Sequence, residues 1–467
     1  MEGRGYPFGP GPTNPARAGP GAAAAGARPE ADEQVTFVSR QHTPPAPNTT
    51  AGATHGPPAP PLVILGASAR ALAESAARVG WAVYAADLFC DLDLQAVARE
   101  AVPAATGADA GAAGYPWSLR AAAAGFPPAA PWCYSGGLEN HPDLVDAIAA
   151  TRPLAGNAGS VLRRLRDPAE LAAAVADVGL EFPETVWSPR GVPDDGSFLL
   201  KPLAGAGGRG IRRWTGTVAR EPAGREATAG RRHVWQRMTP GISLSASYCL
   251  SPGRSQLLGL SRQLLGEPWC HAGDFAWCGA VAFAGSSAPL HHDHLVARLE
   301  PLGDVLAGRF HAVGLVGVDL IVDTADRITV IEVNPRPTAS MELFERMTAA
   351  SIAGSHLSAC GWAVPSDSWA ARPLPQPGST WTKAVLFAAQ PIAVSQPLID
   401  ALDRESADWT RADGGWPALA DMPRPGQSLA AGAPAVSIFA VGHSENDAVS
   451  RLRDRVARID ALLAMQR

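Results

Sequence analysis

Hydrophobic and polar positions change period several times along the chain. Leu62 to Leu65 form a short apolar run that stops at Gly66. Leu72, Ala76 and Val79 then recur at helical spacing up to Gly80, and WAVYAAD (81–87) is a second apolar run. Short runs bounded by glycine and separated by a 3.6-residue period predict strand, helix, strand, the opening of a parallel α/β unit. WCYSGGLENHPDLVDAIAATRPLAGN (132–157) reads as a turn-rich loop followed by a helix, and a further helix is expected from Val161 to Val178 with Ser160 as its cap. SFLLKPLAGAGGRGIRRW (197–214) reads as strand, glycine-rich turn, strand, and VGVDLIVDTADRITVIEVN (316–334) as two strands joined at TADR. The last segment offers a strand at KAVLFAA, a strand pair within 423–442, and a closing helix. Ser444 caps that helix, and Val449, Leu452, Val456, Ile459 and Leu463 form its apolar stripe. Two stretches lack such patterns. Residues 1–58 have too few large apolar groups to offset the entropy of ordering and are expected to be a disordered tail. Residues 363–380 are rich in Pro and Ser and read as a linker.

Some polar residues sit where a core strand would carry Val or Ile. Side chains alternate along a strand, so Glu332, Asn334 and Arg336 share one face while Ile331, Val333 and Pro335 share the other. A hairpin at TADR would bring Asp319 beside Glu332. Two carboxylates and an amide oxygen are hard donors suited to Mg2+, which takes few protein ligands and completes its shell with phosphates and water. The competing reading is an exposed face with a Glu332–Arg336 ion pair. A second polar feature is the run Gly205, Gly207, Gly208 and Gly210, placed just after a strand ending at Lys201. Glycines let backbone N–H groups wrap phosphate oxygens, and a lysine adds a compact charge. The lysine precedes the glycines and no G-K-[ST] follows, so this is not a P-loop. A plain hairpin turn explains the same residues. Of 39 basic residues only Lys201 and Lys383 are lysines.

Composition narrows the choice. The 467 residues suggest about three domains, and 46% apolar content supports ordinary cores. A net charge of −5 gives no electrostatic case for nucleic acid. No apolar run reaches membrane-spanning length, and no secretory h-region is expected at the N-terminus. Six scattered cysteines without a C-x-x-C pair fit reduced thiols and a cytoplasmic location; Cys133, Cys249 and Cys278 read as core thiols. HHDH (291–294) reads as a solvated loop rather than a metal site. Gly66, Ser68 and Asp87 imitate a dinucleotide site without its three glycines, which disfavours NAD binding.

The combination of LLKPLAGAGGRGI (199–211), VWQRMTPGISLSASY (234–248) and VGVDLIVDTADRITVIEVNPRP (316–337), in that order, resembles the ATP-grasp superfamily of carboxylate–amine ligases. A more distant likeness is to tyramine–glutamate ligases. The resemblance implies an α/β chain: a Rossmann-like domain at 59–150, an ATP-grasp fold at 151–362, the linker at 363–380, and a small α+β C-terminal domain at 381–467. It implies ATP with Mg2+ (Mn2+ as the alternative ion) as cofactors. Lys201 would contact the α- and β-phosphates, and the loop of Gly205, Gly207, Gly208 and Gly210 would close over them. Gln236, Arg237 and Met238 would be the hinge whose backbone reads adenine. Asp319, Glu332 and Asn334 would hold the metal, and Arg336 and Arg262 would steady the transferring phosphoryl group or the acyl substrate. The implied reaction joins a small carboxylate to an amine or thiol through an acyl phosphate, in amino-acid or C1-cofactor (methanofuran- or methanopterin-like) metabolism, with a homodimer among the assemblies it allows. Two departures stand out. No acid follows the hinge to take the ribose, and Arg163, Arg164 and Arg166 stand where the family often has a lysine. A non-catalytic nucleotide-binding scaffold with a degenerate site is the alternative they leave open.

Overall fold

A computed structural model of the chain describes residues 59–105, 114–216, 233–283, 292–365 and 378–465. The anticipated tail (1–58) and most of the anticipated linker (363–380) lie outside these residues. The described residues all belong to one unit, Pro57–Arg467.

The N-terminal part is the anticipated parallel unit. Strands β1 (Pro61–Leu65), β2 (Ala82–Asp87), β3 (Glu100–Pro103) and β4 (Trp132–Tyr134) form one parallel sheet in the order β3-β2-β1-β4. Helices α1 (Arg70–Arg78), α2 (Leu92–Val97), α3 (Ser118–Gly125) and α4 (Pro142–Ala149) complete it. Both faces of the sheet are covered, so its central strands are apolar throughout; Leu62, Val63, Ile64 and Leu65 are all fully buried. Asp87 ends β2 in a structural role. Its carboxylate accepts the N–H groups of Ala69, Phe89 and Cys90 at 2.7, 3.0 and 2.6 Å, fixing the β1–α1 and β2–α2 turns together.

The helix expected from Val161 to Val178 is two helices, α5 (Gly159–Leu165) and α6 (Pro168–Ala176). Pro168 has no N–H to donate and sits at the start of α6, and Asp167 caps that helix through the N–H groups of Ala169 and Glu170. Ser160 is not a cap but lies inside α5. Arg166, at the C-terminal cap of α5, reaches Glu332 from this break.

A small antiparallel sheet follows, built from β5 (Thr185–Val186), β6 (Phe198–Pro202), β7 (Arg212–Arg213) and β8 (His233–Arg237) in the order β5-β8-β6-β7. The long strands β9 (Ile242–Ser251), β10 (Arg254–Leu265) and β11 (Trp277–Ala282) come next, then α7 (His292–Gly308), β12 (Gly314–Val322), β13 (Ile328–Asn334), α8 (Met341–Thr348) and α9 (Ile352–Ala359). His292 to His294, anticipated as loop, open α7; Asp293 lies in its first turn. His291 is outside the described residues.

The C-terminal segment contributes β14 (Thr380–Phe387), β15 (Ile392–Ala393), α10 (Gln396–Ala412), β16 (Leu419–Ala420), β17 (Ser428–Leu429), β18 (Pro434–Gly442) and α11 (Glu445–Ala464). Ser444 caps α11 as anticipated, accepting the Asp447 N–H at 3.2 Å. β14 pairs with β11 and β18 pairs with β14, so one eight-stranded antiparallel sheet, β13-β12-β9-β10-β11-β14-β18-β16, runs through both the central and C-terminal segments. Lys383 on β14 is buried, 2.9 Å from Glu342 of α8, and Glu342 also receives both terminal nitrogens of Arg70 from α1.

Candidate functional site

The site lies at the β12–β13 end of the large sheet, where that sheet faces β6 and β8. The hairpin pairs Asp319 with Glu332 and Gly317 with Asn334, so the three oxygen donors share one face as the alternation requires. The ladder slips between Asp319 and Leu320, which next pairs with Val330. Ile331 is the extra residue of this bulge. A bulge leaves its surplus residue outside the ladder, and the Ile331 carbonyl instead accepts Lys201 Nζ at 3.2 Å. Lys201 comes from β6, whose last residues carry it across the cleft, and its ammonium also lies 3.3 Å from Glu332 Oε2. The core-facing neighbours Val318, Leu320, Val330 and Val333 pack into the main hydrophobic cluster, which holds the polar face rigid from behind.

Arg166 completes the group. Of the three arginines that stand where a lysine was looked for, it is the one that reaches the centre. It donates to Glu332 Oε1, while Arg163 pairs with Asp143 and Asp146 and Arg164 with Glu170 at the exposed surface. Burial disfavours the Glu332 charge, but Lys201 and Arg166 outweigh it and hold the carboxyl down at about 2. Asp319 goes the other way. Burial and the neighbouring Glu332 charge push it up to about 6. It is held by Gln263 Nε2 at 2.8 Å and by Asn334 Nδ2 at 3.0 Å, and Ser243 in turn donates to Gln263 Oε1 at 2.6 Å.

Arg336 does not form the ion pair with Glu332 that the competing reading of this face requires. Its Nη2 lies 2.7 Å from Glu139 Oε1, in the one-turn 3-10 helix Leu138–Asn140 that follows β4. Arg262 is not brought into the group. It stands in register with Leu244 and Val281 on the opposite face of the sheet from Gln263 and donates to Glu445 of α11 at 2.6 Å. One step along β10 reverses the face, so Gln263 is the residue of that strand at the site.

The glycine loop follows Lys201 directly. Gly207, Gly208 and Gly210 have φ of +60°, +76° and +79°, a backbone region that side chains disfavour. A Cβ on Gly208 would lie 1.9 Å from the Phe275 carbonyl oxygen, and Trp277 donates its N–H to the Gly207 carbonyl at 3.1 Å. On its other side the loop is held by Asn140, whose Nδ2 donates to the Gly205 carbonyl at 2.9 Å.

Beside these charges lies a small open cleft. Leu165, Leu171, Phe182, Val234, Ile331 and Val333 make its apolar wall, and Lys201, Arg166, Glu332 and Gln236 its polar end. An apolar wall with a few convergent polar groups is the chemistry of a small-ligand site. The hinge departs from expectation in one respect. The N–H groups of Arg237 and Met238 are already given to the carbonyls of Glu184 and Ser197, at 2.8 and 2.9 Å, because β8 lies inside the small sheet with neighbours on both sides. Arg237 turns its side chain out to Glu184, and Met238 Sδ accepts from Arg213; Gln236 alone lines the cleft, its Nε2 donating to Thr185.

Sequence reasoning missed Glu139, Asn140 and Gln263. Glu139 and Asn140 sit in a loop about 60 residues before Lys201, within SGGLEN, and nothing in its spacing ties it to the hairpin.

Residues 166–340 match the family model of the ATP-grasp domain, so the chain carries an ATP-grasp domain. A sequence search of curated proteins finds no match. Among solved structures, pyruvate carboxylase from Rhizobium etli aligns at TM-score 0.61 and 15% identity, covering 87% of this chain and 39% of that one. The chain thus spans well under half of that enzyme. The N5-carboxyaminoimidazole synthetase from Staphylococcus aureus, complexed with ADP, aligns at TM-score 0.57 and 13% identity over 85% of this chain and 97% of its own. An L-amino acid ligase from Bacillus licheniformis gives TM-score 0.55 and 14% identity over 85% and 96%. At these identities the likeness establishes the ATP-grasp fold.

Proposed function

We propose that the chain is an ATP- and Mg2+-dependent ligase that activates a small carboxylate as an acyl phosphate for attack by an amine. The observation that carries this reading is the convergence of Lys201, Arg166 and Glu332 at the polar end of one apolar cleft, with Asp319 and Asn334 beside Glu332 on the hairpin and a glycine loop following Lys201 directly. The apolar walls suit a purine, and the charged end suits its phosphates. Lys201 and Arg166 are the cations that reach the phosphates, and the backbone of residues 205–210 covers them.

The donor set fits Mg2+. No cluster of three or more His, Cys, Asp or Glu among the described residues is placed to hold a metal unaided. Two carboxylates and an amide oxygen suit an ion that takes its remaining ligands from phosphate and water. When bound, it neutralises phosphate charge. Asp319, Glu332 and Asn334 would hold it, with Gln263 orienting Asp319.

In the proposed reaction the substrate carboxylate oxygen attacks the γ-phosphorus and ADP leaves. The amine then attacks the acyl carbon, phosphate departs, and the ammonium proton is lost to solvent. No protein nucleophile is required; the protein aligns the reactants and stabilises charge on the transferring group. Arg336, fixed beside the cleft by Glu139, is the residue we assign to the carboxylate or the phosphoryl group. Arg262 carries no role in this proposal. The acceptor belongs, in our reading, to amino-acid or C1-cofactor metabolism, and a thiol is the alternative nucleophile.

The test is ADP release from MgATP across a panel of amino-acid carboxylates and amines, with Lys201→Ala and Glu332→Ala as variants. Both should fold and lose turnover by roughly 10²-fold or more, the scale of removing one preorganised charge. Wild-type rates in Glu332→Ala would end the metal assignment. Tight MgATP binding with no ADP release from any pair would favour the non-catalytic scaffold.

A further inference from the structure

The turn Leu138–Asn140 lies outside the matched ATP-grasp segment, yet it inserts two side chains into the phosphate end of the site. Glu139 is 1% exposed. It stands between two guanidiniums: its Oε1 is 2.7 Å from Arg336 Nη2 and 3.7 Å from Arg166 Nη2. Neither contact is a well-aligned hydrogen bond. Both Glu139 oxygens, Arg166 Nε and Nη2, and Arg336 Nε are buried without a hydrogen-bond partner among the described residues. Buried ions left this way are costly, so the arrangement is poised for a ligand rather than optimised for the protein alone. The turn itself is seated. Asn140 donates to the Gly205 carbonyl of the glycine loop at 2.9 Å, and a Cβ on Gly136 would already touch the Arg336 guanidinium at 3.4 Å.

The charges close on themselves. Glu139 and Glu332 are the ion-pair partners of Arg166, Arg336 and Lys201, and Asp319 lies beside Glu332 on the same hairpin face. A nucleotide arriving without its metal meets a centre whose positive groups are already neutralised. A nucleotide arriving with a divalent ion supplies the cation that the acids can take, and so frees the guanidiniums for phosphate. We propose, resting on the nucleotide binding assigned to this cleft, that Glu139 is a positioning residue: it holds Arg166 and Arg336 and makes tight nucleotide binding depend on the metal. The ligand class is a nucleoside di- or triphosphate, and the property controlled is discrimination between its metal-bound and metal-free forms.

Calorimetric titration of ADP, once in EDTA and once in excess Mg2+, tests this on the full chain. Glu139→Gln keeps the shape and removes the charge. It should tighten metal-free ADP roughly fivefold or more, as expected when a buried like charge is taken from beside an anion, while Mg-ADP changes far less. Glu139→Asp keeps the charge and should restore the wild-type preference for metal. Glu170→Gln, at the exposed Arg164 pair, should leave both titrations unchanged. If Glu139→Gln does not fold, Arg336→Gln provides the opposite sign, weakening metal-free ADP about fivefold or more. Equal metal preference in wild type and Glu139→Gln, or Glu139→Asp behaving as Glu139→Gln, overturns the proposal and leaves nucleotide binding standing. A wild-type chain that binds neither form overturns both.

Discussion

Glu342 is the point where three segments of the chain are pinned together, and removing it should be felt throughout. Its carboxylate accepts Arg70 Nη1 and Nη2 at 2.6 and 2.9 Å, Lys383 Nζ at 2.9 Å and Arg346 Nη2 at 3.4 Å. The Glu342 side chain is 5% exposed and the three cations 1–4%. Burial opposes its charge, but Arg70 and Lys383 override burial and hold the carboxyl well below the usual glutamate range. Glu342→Leu leaves three buried cations. Asp421 remains beside Arg70 at 2.9 Å, yet it lies 3.9 Å from Lys383 and is 26% exposed. Breaking a buried ion pair by deleting one partner costs ~3–5 kcal/mol. With an unfolding entropy of about 2.1 cal/mol/K per residue over roughly 400 residues, 1 kcal/mol corresponds to ~1.2 °C, so Tm should fall by ~4–6 °C. Differential scanning calorimetry at pH 7 measures it. Because the carboxyl is depressed in the folded state, its stabilisation is present above its unfolded value of about 4.3 and is lost as pH falls below that. The variant should therefore lose less Tm than wild type on acidification. Glu342→Leu combined with Lys383→Met removes one of the stranded cations and should cost less than the sum of the single changes. A Glu342→Leu Tm within about 1 °C of wild type, or strict additivity in the double variant, would refute the reasoning.

Three further outcomes are expected. Gly208→Ala should weaken MgATP binding about 5–30-fold, since the left-handed backbone alone costs ~1–2 kcal/mol with a Cβ and that atom would meet the Phe275 carbonyl at 1.9 Å; unchanged affinity by calorimetry would show that the loop does not dock there. Arg166→Met should raise the Glu332 pKa above its present value of about 2 and reduce MgATP affinity, with Arg166→Lys restoring part of it; identical affinity in Arg166→Met would remove this residue from the phosphate site. Asp91→Asn should stabilise the protein at pH 8 more than at pH 5. Burial, then Asp421 and Asp93, push the Asp91 carboxyl up to about 8 against a weaker pull from Arg70, so stability is fully present below the ordinary carboxylate value and lost as pH rises through about 8. Asparagine can still accept the Leu94 N–H that Asp91 caps; an equal Tm change at both pH values would contradict the assignment.

What could be read without coordinates, and what could not, divides along physical lines. The strand–helix–strand opening, the β12–β13 hairpin and the capped α11 were legible because each is local: a period of two or 3.6, bounded by glycine or serine, specifies the element within a dozen residues. The joint placement of Asp319, Glu332 and Asn334 was legible for the same reason, since a hairpin converts sequence alternation into one shared face. The helix drawn across 161–178 failed on a local rule as well, because Pro168 and its cap Asp167 outrank apolar periodicity. Arg262 failed differently. The family resemblance marked it out, but only sheet register assigns a face, and register put Gln263 at the site and Arg262 against Glu445. Glu139 was the least legible of all. An acid in a glycine-rich loop looks solvated in sequence, and its burial between Arg166 and Arg336 arises from the packing of the turn after β4 against α5 and the end of the β12–β13 hairpin. Residues that hold a site together from far along the chain carry their signal in the partner they meet, so composition and spacing pass over them, and buried charge without a matching hydrogen bond is the mark by which the structure gives them away.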